Sequence, residues 1–61
     1  MTPAHEFRAL RESLGRSRHA LGELFGLRYP SVMFRETGKT AISLEEMDRL
    51  REMVAQKEAS K

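Results

Sequence analysis

The sequence has no cysteine among its 61 residues, so it can build neither a disulfide framework nor a thiolate metal site. A reducing, cytoplasmic setting fits that absence. No apolar run approaches the roughly 18 residues of a membrane span, and no apolar stretch follows a basic N-terminal region. The expected protein is therefore soluble and intracellular, with no membrane partner. Strand-like alternation, internal repeats, low-complexity tracts and interdomain linkers are also missing, which leaves a single domain, 1–61. A chain of this length buries only about 60% of the surface its unfolded form exposes, and its core supplies roughly 3 to 5 kcal/mol. An enclosed substrate cleft is not expected, and self-association is the expected supplement to stability.

What is present is charge, unevenly spread. The formal net charge is +2, from 11 Lys+Arg and 9 Asp+Glu. Positions 1–39 hold seven basic and four acidic residues, a net of +3, and positions 40–61 hold four basic and five acidic, a net of −1. The basic residues of the first part are almost all arginine, whose planar fork suits phosphate, so a polyanion is a sensible partner.

Helical periodicity runs through the chain. Thr2 and Pro3 form an N-cap and a first helical position ahead of Phe7, Leu10 and Leu14, and Gly15 ends that helix. Ser17 caps a second, short helix with Leu21, Leu24 and Phe25 on its apolar face, closed by Gly26. Pro30 is acceptable in the first turn of a third helix, on which Val32 and Glu36 share a face before Gly38 stops it. Ser43-Leu44-Glu45-Glu46 is a capping box, and it launches a fourth helix with Leu44, Met47, Leu50 and Val54 inward. The polar tail from about 57 is expected to fray. The fold class is all-α, four helices around one core.

Arg11 lies four residues after Phe7 and three before Leu14, on the core side of helix one. Glu36 lies four after Val32, on the core side of helix three. Opposite charges on converging apolar faces are costly apart, by about 3 to 5 kcal/mol, and tolerable together, so the two should form a structural ion pair.

Gly26-Leu27-Arg28 joins helices two and three tightly enough to force a sharp angle, which is helix-turn-helix geometry over about 17–36. Here the sequence resembles the lambda-repressor-like, Cro-type (XRE-like) helix-turn-helix regulators of phages and bacteria. The resemblance spans roughly Phe7 to Leu50. It rests on Leu10-Arg11 to Leu14-Gly15, Ser17, Leu21, Gly22 and Gly26 at their spacing, Val32, and Glu36-Thr37-Gly38-Lys39. It implies a compact domain of four, or at most five, helices and the same Arg11–Glu36 pairing. It also implies that helix three enters the DNA major groove while the start of helix two and the loop after helix three grip phosphates. On that reading Tyr29, Pro30, Met33, Phe34 and Thr37 face DNA. Arg28 reaches a guanine or a phosphate, Arg18 holds phosphate, and Lys39 and Thr40 meet the backbone.

Three positions depart from the family pattern. Arg35 stands where a Trp, Leu or Ile usually packs inward, Arg16 where Leu is usual, and Phe34 where a polar residue is more common. Either Arg35 runs its stem along the core and extends its head to phosphate, or helix three is rotated so that Phe34 packs inside. Met33 and Phe34 could instead anchor a protein partner, which makes an antitoxin or phage accessory protein the alternative function.

Other candidates carry less. His5 and His19 have no acidic partner at ligand spacing, so no metal is expected. Ser13, Ser17 and Ser31 lack an arranged base, and Glu45 and Glu46 serve the helix dipole, so neither catalysis nor a cofactor is expected. Met53 with Leu50 and Val54 broadens the apolar face of helix four, either as plain packing or as a two-fold dimer contact. The expected function is a sequence-specific, double-stranded-DNA-binding transcriptional regulator. It would be a homodimeric repressor, or autorepressor, on a palindromic operator, cytoplasmic and associated with the nucleoid when bound.

Overall fold

Thr2, Ser17 and Ser43 each precede a stretch with helical apolar spacing, and each caps a helix in the computed structural model, which describes residues 2–60. The elements are α1 (Pro3–Leu14), α2 (Arg18–Phe25), α3 (Tyr29–Thr37) and α4 (Leu44–Ala59). The described residues form an all-α domain of four helices without strands. The three hydroxyls accept from the backbone N–H of His5, Ala20 and Glu46 respectively. The Glu46 carboxylate accepts from the Ser43 N–H at 3.1 Å, completing the capping box. Ile42, just before that cap, packs on the core cluster that contains Met47, as a hydrophobic staple does.

The core is built from one apolar stripe per helix. Phe7, Leu21, Val32 and Leu50 are completely buried and Met47 is 5% exposed, each contributing about 1.5 to 3 kcal/mol of transfer free energy. α1 packs against both α3 and α4, and α2 packs against α3. The α2–α3 turn depends on two glycines. Gly26 sits at φ 71°, a left-handed conformation that strains any residue with a Cβ. At Gly22, on the buried face of α2, an added Cβ would come within 2.6 Å of the Leu27 carbonyl oxygen. Its absence lets the Leu27 N–H donate to the Gly22 carbonyl at 2.7 Å, which closes the turn.

Three sequence expectations are corrected. Leu44, expected inward, is 80% exposed. At about 100° per residue it lies roughly 90° from the centre of the Met47–Leu50–Val54 stripe, and it occupies the first helical position, where no neighbouring helix reaches it. Leu24, also expected inward, is 41% exposed, because α2 lies against α3 rather than in the angle toward α4. Leu50 and Val54, expected inward and also offered as dimer contacts, are 0% and 9% exposed, which bears out the first reading and leaves little surface for the second. Their side chains are spent on the domain's own core, and only Met53 of that trio retains partial exposure. α4 runs to Ala59, through the start of the polar tail. Lys57 Nζ donates to the Ser13 carbonyl at 2.9 Å and holds the last turn against the end of α1.

Candidate nucleic-acid interface

Two opposed faces of α3 set the geometry of the site. The inner face carries Val32 and Glu36. The Glu36 side chain is 2% exposed and accepts from Arg11 Nε at 2.6 Å and from Arg11 through its NH2 group at 3.3 Å. Arg11 also donates to the Arg16 carbonyl at 2.8 Å. Arg11 and Glu36 therefore meet across the domain, and every buried side-chain polar atom among the described residues has a partner. A second arginine, which the sequence reading assigned to phosphate alone, joins them: Arg18 Nε donates to Glu36 Oε1 at 3.1 Å. The Arg18 guanidinium also reaches the Tyr29 hydroxyl at 3.4 Å. These contacts, with Tyr29 first and Glu36 second, raise the Arg18 pKa further above its ordinary value. Two cations on one carboxylate leave the cluster net positive where α2 begins.

The outer face of α3 is open at its start. Arg28, Tyr29 and Pro30 are exposed, as is Thr37 at the far end, whereas Met33 is half-buried. α3 is the one helix of the described four whose N-cap residue offers no side-chain hydrogen bond. Its first-turn amides and the positive end of its dipole thus lie beside Arg28 with no capping oxygen. Lys39 is exposed, and its Nζ lies 4.6 Å from the centre of the Phe34 ring. Thr40 is half-buried, and its N–H donates to the Phe34 carbonyl at 3.2 Å.

Arg35 and Phe34 differ from expectation. Arg35 Nε donates to Glu46 Oε2 at 3.1 Å, its Nη1 donates to the Ser31 carbonyl at 3.0 Å, and its side chain is 14% exposed. Its head is folded back onto the capping box of α4 rather than extended toward a ligand, so Arg35 leaves the DNA-facing set. Phe34 is half-buried, neither an open reading residue nor a fully buried core residue. The Arg35 contact affects Glu46 in turn. Burial pushes that carboxyl upward, but the Ser43 N–H and the Arg35 guanidinium outweigh it and hold the pKa below the usual carboxylate range. Nothing in the local sequence signals this pair, since its members are 11 residues apart on different helices.

The site thus brings together Arg28, Tyr29 and Pro30 at one end of α3, with Arg18 beside them, and Thr37, Lys39 and Thr40 at the other. Among the described residues no group of three or more His, Asp or Glu side chains could hold a metal ion, and no helix is long and apolar enough to cross a membrane. Comparison with protein-family models, with curated proteins and with solved structures gives no match.

Proposed function

We propose that this chain is a double-stranded-DNA-binding transcriptional regulator of the lambda-repressor-like, Cro-type kind, a homodimeric repressor or autorepressor on a palindromic operator. It acts in the cytoplasm, at the nucleoid when bound. The observation that carries this reading is the braced α2–turn–α3 unit: the inner face of α3 is fixed by Arg11 and Glu36, while its uncapped start lies open beside Arg28. A rigid helix with an open positive pole suits the major groove. Arg28, Tyr29, Met33 and Thr37 then meet base edges or adjoining phosphates, and Arg18, Lys39 and Thr40 meet the backbone. Pro30 contributes shape and apolar contact. With Leu50 and Val54 buried, Leu44, at 80% exposure, is the apolar side chain that a two-fold partner would cover. Two recognition helices would then address half-sites about 34 Å apart.

The alternative, an antitoxin or accessory protein docking through Met33 and Phe34, rests on two half-buried side chains alone, whereas the DNA reading also draws on the cations Arg18, Arg28 and Lys39. Selection of bound sequences from a random DNA pool at two salt concentrations tests the proposal. An enriched palindrome with affinity falling steeply in salt supports it. Retention of every sequence alike, or of none, overturns it.

A further inference from the structure

Where two helices diverge, the apolar side chains between them stay open to a third element. α2 and α4 pack little against each other in this fold, the main packed pairs being α1 with α3 and α4, and α2 with α3. A bridge from α4 is Arg49, which donates to the Leu24 carbonyl at 3.1 Å and lies over the Phe25 ring with 4.9 Å to its centre. Beside that bridge runs a groove of about 490 Å³, bounded by the end of α1, by Leu24 of α2 and by the C-terminal half of α4. Leu14, Leu24 and Met53 supply its apolar surface, and Arg16 and Lys57 its charge.

Charge and exposure together define what fits. Leu24 is 41% exposed although it lies on a helix whose other large apolar side chains turn inward. Arg16 is exposed, and its side chain makes neither a hydrogen bond nor an ion pair among the described residues. Lys57 uses one N–H on the Ser13 carbonyl and keeps two. No carboxylate lines the groove among the described residues. A second copy of the chain is a poor occupant, because a two-fold contact would set the cations of one groove against those of the other. Nucleic acid would leave the apolar surface unused. Flexible Met53 can adapt to a variable side chain.

We propose that this groove docks an acidic amphipathic segment of another protein. Its apolar residues would lie on Leu14, Leu24 and Met53, and its carboxylates against Arg16 and Lys57. α3 contributes no residue to the groove, so the partner can bind while α3 is engaged elsewhere, and the proposal stands whether or not the chain binds DNA.

The test uses the full chain and a synthetic helical peptide of about 20 residues, leucine at i, i+3 and i+7, a few glutamates flanking that stripe and alanine and glutamine elsewhere, with a matched peptide carrying lysine for glutamate. Binding is followed by the methyl resonances of Leu14, Leu24 and Met53. The acidic peptide should shift them saturably, and the lysine peptide should bind at least about tenfold more weakly. Arg16→Glu, which removes no internal contact of the side chain, should weaken the acidic peptide by about tenfold with the circular dichroism spectrum unchanged. Three results overturn the proposal: no methyl shift at millimolar peptide, equal affinity for the two peptides, or the same shifts appearing in the protein alone as its concentration rises.

Discussion

Arg11 and Glu36 lie 25 residues apart in the chain and meet at 2.6 Å between α1 and α3, with 11% and 2% of their side chains exposed. Breaking such a pair from one side costs about 3 to 5 kcal/mol, because the other charge stays buried. Arg18 remains on Glu36 when Arg11 is removed, so Arg11→Met should fall at the lower end, about 3 kcal/mol in urea unfolding. Arg51→Met, which breaks the exposed pair with Glu6, should cost much less, because solvent screens that pair. Equal losses for the two variants would contradict this account.

Gly22→Ala sets two effects against each other. Alanine in a helix interior gains about 1 kcal/mol over glycine. Here its Cβ would press to 2.6 Å on backbone, the Leu27 carbonyl, which cannot rotate aside as a side chain can. Overpacking of this kind costs about 1 to 3 kcal/mol, so the net change should be destabilising. Denaturant titration gives the sign directly.

Glu46 makes stability depend on pH. Its folded-state pKa is lowered, so its contribution is fully present above the unfolded value of about 4.3 and is lost as pH falls through the folded value. Glu46→Gln should therefore lower the Tm near neutral pH, with the gap to the wild type closing in acid. Melting curves from about pH 7 down to pH 3 provide the measurement.

Arg28 and Arg35 should separate binding from folding. On the proposed reading Arg28→Ala reduces DNA affinity and lowers the salt slope by about 0.9 if its contact is to phosphate. Arg35→Ala should lower the Tm while leaving that slope unchanged, because the Arg35 guanidinium is held by Glu46 and Ser31. Binding in a salt series and thermal melting of both variants would show whether the roles divide this way.

Leu44→Glu should shift the proposed dimer toward monomer without affecting the fold, since the residue is 80% exposed. Sedimentation equilibrium over a concentration series, alone and with operator DNA, reads the result. An unchanged association constant would place any dimer contact elsewhere.

The sequence made the local features of this fold readable because each depends on a few adjacent residues. Ser43 and Glu46 form their capping box from four consecutive positions, and Gly38 ends α3 at φ 83° as a C-cap glycine does. Arg11 and Glu36 were readable for a related reason: each lies three or four residues from a core side chain on its own helix. Relations between helices were harder to read. Periodicity placed Leu24 and Leu44 on apolar faces, but how far each face is covered depends on where the neighbouring helix passes. Arg35 could reach either a ligand or a carboxylate, and only packing brought Glu46 within 3.1 Å. Leu50 and Val54 pack inward as their spacing implied, and it was Met53 beside them whose cover could not be read from helix four alone.

The contacts of α4 carry a consequence for how the chain is made. Arg51 and Lys57 hold Glu6 and Ser13, partners 45 and 44 residues away. A nascent chain that has emerged only as far as α3 therefore has Phe7 with no Met47 or Leu50 to cover it. Closing so long a loop brings little stabilisation until α4 arrives, so the domain should gain its structure in a single late step after synthesis of that helix rather than progressively from the first. Ribosome-arrested chains whose emerged portion ends before or after residue 59 should differ abruptly in protease resistance.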